Sequence, residues 1–447
     1  MFLHITKKTA QHFYRLSGNI MNNKIELLAP AGSLIKLKYA IAYGADAVYA
    51  GVPRYSLRAR GNGFDRTSIE EAVKITHQSG KKIYLTLNIF PHNRKIESFI
   101  ETLRWMEELV PDAIIISDPG IFSLSQKYCP SIPVHLSTQA NTVNWASARF
   151  WYEQGVSRII LSRELSIEEI TEIKNRVPEI ELESFVHGAI CVAYSGRCLL
   201  SNYLTYRDPN QGTCTNSCRW DYKIYHEHDN SDTEEYHCLE GNYFLEEKER
   251  PGQFLPLDED ENGTYIMNSR DLCAIGLLDR IKNAGVDCIK IEGRNKSIYY
   301  LSTITRAYRK AVDNMFAGLP FDTNLEKEVY TVANRGYITG FLEKNPRQMG
   351  ENFKFSHSGN QTRQFSAIIK DIDNDQNRAR VSVRNRFEMG DKMEAFSPSE
   401  TVEFEIKEIT SLNGEPLAIA HGGGNDVFIN VPKALGKFTL IRKLLTI

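Results

Sequence analysis

The sequence of 447 residues lacks the features of membrane and secreted proteins. It has no run of eighteen apolar residues, so we expect no membrane-spanning helix. The first twenty residues contain neither a long apolar core nor a small-residue cleavage site, and they do not resemble a signal peptide. Eight cysteines in such a chain favour a reducing compartment over disulfide bonds. The protein is therefore predicted to be cytoplasmic.

An excess of positive charge is also missing. The chain has 54 Lys and Arg residues against 56 Asp and Glu residues, a formal net charge of -2. A balanced charge gives no overall electrostatic attraction for nucleic acids. Any RNA binding must therefore come from a local patch of the surface.

Motifs of hydrolytic enzymes are absent as well. The sequence contains neither the G-x-S-x-G nucleophile elbow nor the H-E-x-x-H zinc motif. A cysteine peptidase would need one reactive thiolate, a histidine partner and an oxyanion hole, and no pattern in the sequence provides that set. Peptidase activity is therefore the weaker of the functional hypotheses.

Cysteine is concentrated in residues 183–218, which read ESFVHGAICVAYSGRCLLSNYLTYRDPNQGTCTNSC. Cys191, Cys198, Cys214 and Cys218 follow the spacing C-x6-C-x15-C-x3-C. Thiolates are soft ligands that suit zinc and iron–sulfur clusters. Only the last two cysteines have the close spacing of a zinc knuckle, so the pattern favours a cluster over zinc. Four reduced cysteines packed as small hydrophobic side chains are the third possibility.

An acidic segment follows at residues 226–262, where thirteen acidic residues stand against two basic ones. It predicts a solvated insertion rather than an element of the core. Its three histidines are irregularly spaced, which does not favour a zinc site. Cys238 within it is the reserve candidate for a fourth metal ligand in place of Cys218.

Short apolar runs alternate with helical patterns along most of the chain. The runs are ELLAP (26–30), AVYAG (47–51), IYLTLNIF (83–90), AIIIS (113–117), VHLSTQ (134–139), RIILSR (158–163), ELESFVHG (181–188), YIMNS (265–269) and CIKIEGR (288–294). Continuous Val, Ile and Leu runs joined by helices indicate parallel strands that are buried on both faces. Eight or nine such units predict an α/β fold, a TIM-like (β/α)8 barrel. A doubly wound open sheet is the alternative, but the expected glycine-rich turn after the first strand is missing.

The pattern divides the chain into four parts. We predict an N-terminal extension without stable structure (1–23), the barrel (24–343) with the cysteine-bearing insertion (about 189–263), a linker (344–362) and a C-terminal domain (363–447). In the last part, short alternating strands are separated by turn residues, which is typical of a small antiparallel β-barrel.

Polar residues lie at the predicted carboxyl ends of the barrel strands, where barrel enzymes carry their active sites. They include Asn88, Gln139, Arg163, His187, Lys290, Glu292 and Arg294. Each of these residues alone could simply form an ordinary hydrogen bond at the rim of the barrel. Because the cysteine segment begins directly after His187, we expect all of them to surround one mouth.

One strand of the C-terminal domain, RARVSVRNRF, carries a row of arginines. Arg378, Arg380, Arg384 and Arg386 share parity, and strand geometry would place them on one face, where they could follow an RNA backbone. However, the region from residue 345 onward has fourteen basic and thirteen acidic residues. A solvated face paired with neighbouring carboxylates is therefore the alternative.

The cysteine segment also carries a family signature. Its fixed positions are Glu183, Phe185, Gly188, Ala189, Ile190, Cys191, Gly196, Cys198, Leu200 and Ser201. With these residues the sequence resembles the collagenase-like peptidases, whose name is historical. Further stretches resemble the branch of that family that hydroxylates bacterial tRNA. They are RDPNQGTCTNSCRWDY (207–222), TYIMNSRDL (264–272), KIEGRNKSIYY (290–300) and NRGYITGF (334–341).

The resemblance begins near Glu26 and covers nearly the whole chain, so translation could start at Met1 or at Met21. It implies prephenate-dependent formation of 5-hydroxyuridine at the wobble position of tRNA, with ribosomal RNA as an alternative substrate. The four cysteines fall on the family's cluster-binding positions, which implies an iron–sulfur cluster, expected to be 4Fe–4S. Cluster-assembly and electron-transfer proteins would be further partners. A fully ligated cluster favours electron transfer or structure over Lewis-acid catalysis.

Prephenate is a dicarboxylate, so its site needs cations. Our candidates for substrate binding are Lys290, Arg294, Arg163 and Arg197, with Asn88 and Gln139 as neutral partners. His187 and Glu292 are the predicted pair for proton transfer. These individual roles are our hypotheses, because the resemblance does not assign them.

Overall fold

The computed structural model describes residues 24–57, 63–191, 193–220, 269–344, 361–373, 376–432 and 435–445, with residue 219 described by its backbone alone. Between residues 225 and 265 it describes the backbone of five short strands. The predictions for the N-terminal extension, for most of the linker and for the side chain of Cys238 lie outside the described residues.

Fifteen strands lie in the described residues up to residue 338. They are β1 (Glu26–Ala31), β2 (Ala47–Gly51), β3 (Lys82–Leu87), β4 (Ala113–Ile116), β5 (Val134–Leu136), β6 (Arg158–Ile160), β7 (Glu181–Ala189), β8 (Tyr225–His228), β9 (Glu235–Cys238), β10 (Tyr243–Glu246), β11 (Phe254–Asp260), β12 (Gly263–Tyr265), β13 (Asp271–Cys273), β14 (Cys288–Ile291) and β15 (Tyr337–Ile338).

The helices of the same region surround the strands. They are α1 (Leu34–Ala42), α2 (Arg66–Gln78), α3 (Ile96–Leu109), α4 (Pro119–Tyr128), α5 (Trp145–Glu153), α6 (Ile167–Arg176), α7 (Leu200–Thr205), α8 (Leu278–Asn283), α9 (Ile298–Phe316) and α10 (Thr323–Val329). None of the helices in the described residues is long and apolar enough to cross a bilayer.

Eight parallel strands close into a barrel. Strands β1 to β7 pair in sequence order, and β14 pairs in parallel with both β7 and β1. Their Val, Ile, Leu and Ala side chains fill one continuous core with the inner faces of the helices. The predicted (β/α)8 barrel is confirmed.

Local sequence fixes where the helices begin. Asp65 and Ser166 each form a capping box with the residue three positions later, at the starts of α2 and α6. The Asp118 carboxylate accepts the backbone N–H of Ile121 at the start of α4, over 2.9 Å. These caps satisfy backbone N–H groups that have no partner within the helix. Each of these helices therefore begins at a defined residue.

One predicted strand, YIMNS (265–269), lies mostly outside the described residues. Its first residue, Tyr265, belongs to β12, which pairs with β11 inside the insertion. The next described strand is β13, which lies antiparallel to β7. The ring is already closed by β14, so β13 and β15 extend the sheet outside it.

The acidic insertion forms antiparallel pairs of its own. Strand β8 pairs with β9, and β11 pairs with β10 and β12. Among the strands whose backbone is described, none of these five pairs with the barrel. The described strands of the insertion thus lie outside the barrel sheet.

The C-terminal region is an antiparallel domain. Its strands are β16 (Arg363–Asp373), β17 (Arg378–Val383), β18 (Phe387–Glu388), β19 (Lys392–Phe396), β20 (Thr401–Glu405), β21 (Ile409–Thr410), β22 (Ile419–Ala420), β23 (Asp426–Asn430) and β24 (Leu440–Leu444). Seven of them form a sheet in the order β20-β19-β24-β16-β17-β23-β21, and β18 pairs with β22. The predicted antiparallel β fold is confirmed, with the sheet curved into a half-barrel.

This domain packs on helices α1 and α9 of the barrel. The Tyr43 hydroxyl donates to the carbonyls of Phe396 and Phe438, over 2.8 and 2.9 Å. The Arg306 guanidinium donates to the Ser397 carbonyl over 2.7 Å. These contacts join buried groups of the two regions. The C-terminal domain is therefore held against the barrel by specific hydrogen bonds and not by the connecting chain alone.

Candidate active site

A cavity of about 130 Å³ lies at the carboxyl ends of the barrel strands. Its lining includes Asn88, Gln139, Arg163, Lys290, Glu292, Arg294, Cys191, Cys198, Cys214 and Cys218. The structure therefore brings together ten of the residues that sequence reasoning selected. Arg197 lines an adjacent groove, and His187 lines neither space.

Lys290 reaches the cavity from β14 and is 3% exposed. Its ammonium donates to the Glu183 carboxylate over 2.7 Å and lies 4.3 Å from the centre of the Tyr49 ring. A buried ammonium needs such a partner, because desolvation of an uncompensated charge is costly. Glu183 thus keeps Lys290 in place below the cavity.

Glu183 belongs to a larger ionic network in the barrel floor. Arg158 lies 3.5 Å from Glu183 and 2.7 Å from Glu26. Burial alone would raise the pKa of Glu26, but the charges and hydrogen bonds of Arg158 and Lys82 outweigh it and hold the pKa at about 2. Sequence reasoning gave Glu183 no role, although an acidic residue in the apolar run ELESFVHG was a signal for one.

Arg294 connects β14 to the neighbouring strands. Its guanidinium donates to the hydroxyls of Ser56 and Thr86, over 2.9 and 3.0 Å, and to the Leu57 carbonyl. A Cβ atom on Gly51 would lie 2.6 Å from this guanidinium, so any larger residue there would displace it. The arginine is held rigidly with its positive charge at the cavity wall.

Arg163 has a different set of contacts. Its guanidinium donates to the Ala189 carbonyl over 2.8 Å and lies 5.3 Å from the centre of the Phe185 ring. Within the described residues its Nε atom is buried without a hydrogen-bond partner. Buried N–H groups normally have acceptors, so this donor is suited to an acceptor that enters the cavity.

Two neutral side chains fix the opposite wall. The Asn88 amide donates to the Gln139 side-chain oxygen over 3.2 Å, and Asn88 accepts the Leu57 N–H over 3.1 Å. Ser117 donates to the same oxygen of Gln139 over 3.4 Å. The amide nitrogen of Gln139 is directed toward Gly196 of the cysteine segment.

The predicted pairing of His187 with Glu292 is wrong. Lys290 lies opposite Phe185 while Ile291 lies opposite His187, so Val186 is an extra residue in β7. This β-bulge reverses the alternation of side chains and turns His187 away from the cavity.

His187 packs instead among three tyrosines outside the barrel wall. Its ring centre lies 6.0, 5.4 and 5.0 Å from those of Tyr300, Tyr308 and Tyr337. Burial lowers the pKa of His187 to about 3, so the ring is neutral at physiological pH. Glu292 stays in the cavity, where its carboxylate accepts a hydrogen bond from the Tyr49 hydroxyl over 3.1 Å.

The cysteine segment is held over the cavity by polar contacts. The backbone N–H and hydroxyl of Ser195 donate to the Glu164 carboxylate over 2.6 and 2.5 Å. Backbone N–H groups donate to the sulfurs of Cys198 and Cys214, over 3.3 and 3.4 Å. Such bonds stabilise thiolates, which are the ligand form of cysteine.

All four cysteines of the segment line the cavity. Among the described residues no group of three or more His, Cys, Asp or Glu side chains is close enough to hold one metal ion. A zinc ion would need its sulfurs within about 2.3 Å of a common centre. Within the described residues these side chains therefore form no ready site for a single zinc ion.

The predicted face of four arginines does not form. Strand β17 ends at Val383, so only Arg378 and Arg380 share its face. Arg380 lies between Asp371 and Asp426, over 3.5 and 3.2 Å.

The other arginines of this row also have local contacts or lie past the strand. Arg378 contacts Thr410 and Phe428, and Arg386 lies 2.7 Å from Glu388. Arg384 lies beyond the end of the strand. Neighbouring groups thus engage three of the four charges.

Comparison with known proteins now places the chain in a family. Residues 32–352 match peptidase family U32, and residues 361–442 match the C-terminal domain of that family. The chain belongs to peptidase family U32. The resemblance to the collagenase-like peptidases is thereby confirmed.

Several relatives of known name are similar over most of the chain. Identity is 45% to the tRNA hydroxylation protein P of Escherichia coli K12, over 92% of this chain and 95% of that protein. It is 36% to the tRNA hydroxylation protein P1 of Bacillus subtilis 168, over 95% and 96%. The 23S rRNA 5-hydroxycytidine C2501 synthase of Escherichia coli K12 is 32% identical over 66% of this chain and 40% of that protein.

Proposed function

We propose that this protein is an RNA-hydroxylating enzyme that converts the wobble uridine of tRNA to 5-hydroxyuridine, with prephenate as co-substrate and an iron–sulfur cluster as cofactor. RNA hydroxylation is supported by the names of all three relatives described above. Two of those names specify tRNA, and their similarity extends over nearly the whole chain. The structural observation that carries the proposal is one cavity that combines four cysteines with three cationic side chains.

The donor set suits an iron–sulfur cluster. A 4Fe–4S cluster takes one thiolate on each of four irons, so its ligands are farther apart than those of a single ion. Cys191, Cys198, Cys214 and Cys218 would hold it, and the N–H groups directed at two of the sulfurs would stabilise the bound thiolates. The bound cluster would supply one-electron redox chemistry beside the cavity.

The cations of the cavity suit a dicarboxylate. Arg163 has an N–H donor without a partner in the described residues, so we assign it to one carboxylate of prephenate. Arg294 contributes its fixed positive charge to the other carboxylate. Lys290 is already paired with Glu183 and adds less net charge.

Glu292 is the side chain that we assign to proton transfer. It lines the cavity, and the Tyr49 hydroxyl orients its carboxylate. Burial, and then the Glu292 charge, raise the pKa of Tyr49 well above its ordinary value, so Tyr49 stays protonated as the donor. A carboxylate in this position could accept the proton that the uracil ring loses on hydroxylation.

The decisive experiment is nucleoside mass spectrometry of tRNA from cells with and without this gene, together with iron and sulfide analysis of the anaerobically purified protein. We expect loss of 5-hydroxyuridine derivatives in the deletion strain and about four irons per chain. Unchanged tRNA from the deletion strain would refute the tRNA assignment, and hydroxycytidine lost from ribosomal RNA would point to the other substrate class. Protein without iron would refute the cofactor.

A single variant tests the carboxylate site. Arg163→Ala should raise the KM for prephenate at least about tenfold, because charge-assisted hydrogen bonds contribute about 1.5–3 kcal/mol. Its iron content should equal that of the wild type, since Arg163 contacts no cysteine sulfur among the described contacts. Arg176→Ala, on the outer helix α6, is the matched control. An unchanged KM in Arg163→Ala would remove the assignment.

A further inference from the structure

The segment that carries the cysteines also exposes aromatic rings. Tyr203 in α7 is 87% exposed and Tyr206 directly after it is 93% exposed. Leu199 and Trp220 of the same segment are also exposed. Soluble proteins rarely present several large apolar side chains together without a partner for them.

The backbone at Tyr206 is unusual for a bulky residue. Tyr206 has a left-handed conformation with φ of 56° and ends α7 through an N–H bond to the Asn202 carbonyl over 2.9 Å. That position usually carries glycine or asparagine, and a bulky residue there is uncommon. Because the Tyr206 ring is exposed, packing against the described residues does not explain the choice of residue.

The base of the segment is tied to the cavity wall. Ser201 bonds to the Thr215 hydroxyl over 2.8 Å, and the Asn210 amide donates to the Cys198 carbonyl over 3.0 Å. Since Cys198 lines the cavity, the exposed rings are presented by a loop that forms part of its rim.

Positive charge surrounds the same loop. Arg197 lies 4.8 Å from the centre of the Phe90 ring in the groove next to the cavity. Lys95 borders this groove by donating to Gln211 over 2.9 Å. Arg207 follows Tyr206 and is exposed, with no ion pair in the described part of the chain. The acidic residue lining the groove is Asp208, whose carboxylate accepts the Asn210 N–H.

We propose that these residues form a stacking surface for unpaired RNA bases, which we define as Arg197, Leu199, Tyr203, Tyr206, Arg207 and Trp220. Exposed aromatic rings flanked by arginines are the means by which proteins bind single-stranded RNA, with rings against bases and cations against phosphates. Enzymes that modify a base must take it out of its stack, so binding sites for its neighbours are needed beside the cavity. The inference rests on the proposed function and deepens it, because it selects a single-stranded loop over a duplex.

Binding of synthetic RNA tests this surface without turnover. The probe is a fluorescent anticodon stem-loop with uridine at the wobble position, and a blunt duplex of equal charge is the comparison. Tyr203→Ala and Tyr206→Ala should each weaken stem-loop binding about tenfold, the effect of losing one stacked base. Tyr203→Phe and Tyr206→Phe should restore binding because they keep the ring, whereas leucine at either position should not. Binding of the duplex should be unchanged in every variant.

Phe150→Ala provides the matched control. Phe150 is also an exposed aromatic residue, at 53%, but lies on helix α5 and lines neither the cavity nor the groove. The Phe150→Ala variant should bind the stem-loop with the affinity of the wild type. Thermal melting of all variants excludes loss of folding as the cause.

Contrary outcomes separate this inference from the proposed function. If tRNA is hydroxylated but the tyrosine variants bind the stem-loop like the wild type, the stacking surface is refuted and the proposed function stands. If the variants lose stem-loop binding but gene deletion leaves tRNA unchanged, the surface is supported and the proposed function falls. If the tyrosine variants bind RNA normally but contain less iron, the exposed tyrosines would be a contact for a protein that delivers the cluster. That result would overturn the inference.

Discussion

At the floor of the barrel, Arg158 and Glu183 are 4% and 0% exposed, and each contacts more than one opposite charge. At the mouth, Arg163 has a buried N–H without a partner in the described residues, and the rings of Tyr203 and Tyr206 extend into solvent. Buried charges without partners destabilise a fold, whereas unsatisfied donors and exposed rings at a cavity are available to ligands. Polar residues of one barrel are thus paired with each other at the floor, whereas those at the mouth leave groups available to a ligand.

The largest effect is expected in the floor. Glu183→Ala removes the carboxylate shared by Lys290 and Arg158 and should lower the free energy of unfolding by about 3–5 kcal/mol, the cost of leaving a buried charge unpaired. Urea denaturation at pH 7 measures this change. Glu181→Ala also breaks a contact to Arg158, but its side chain is half exposed and the loss should stay below about 1 kcal/mol. Equal losses in the two variants would show that burial does not set the difference.

A somewhat smaller loss of folding stability is expected when the pH is lowered. The pKa of Glu26 is about 2 in the folded protein, against an ordinary value of 4.5, so folding favours the ionised carboxylate. Its contribution is complete above pH 4.5 and is lost as the pH falls towards 2, because the unfolded chain binds the proton first. That loss is on the order of 3 kcal/mol. The free energy of unfolding should fall less steeply with pH over this range in the Glu26→Gln variant than in the wild type. Parallel pH dependences of the two proteins would contradict the prediction.

The smallest effects are expected on RNA affinity, and they compare an arginine near the mouth with one in the C-terminal domain. Arg380→Ala should change stem-loop affinity by less than about twofold, because Asp371 and Asp426 already engage this charge and surface pairs contribute little. Arg207→Ala should instead lower the salt dependence of binding by about 0.7 in the slope of log K against log salt, the value for one phosphate of a single strand. Fluorescence anisotropy at several salt concentrations measures both. A loss of slope in Arg380→Ala alone would restore the arginine strand as the RNA site.

Much of the fold could be predicted because its signals are local. The runs that become β1 to β7 and β14 are apolar and are followed by helical periodicity, and that alternation by itself indicates a parallel barrel. The position of the candidate site followed from this topology, since polar residues at strand ends meet at one mouth. The place of β13 was not predicted, because its composition does not show that the ring is already closed by β14.

The barrel and the place of its mouth follow from the order of the residues, because chain order and periodicity fix which strand ends come together. The cysteines follow directly after one of those strand ends, so they too could be placed at the mouth. The partners of individual side chains, in contrast, depend on the tertiary fold. The extra residue Val186 turns His187 outward, and sequence parity could not show a bulge that arises from pairing with β14. Likewise, Asp371 and Asp426 engage Arg380 from neighbouring strands of the antiparallel sheet. Charge compensation depends on distances across the fold, and the order of residues along the chain does not contain those distances.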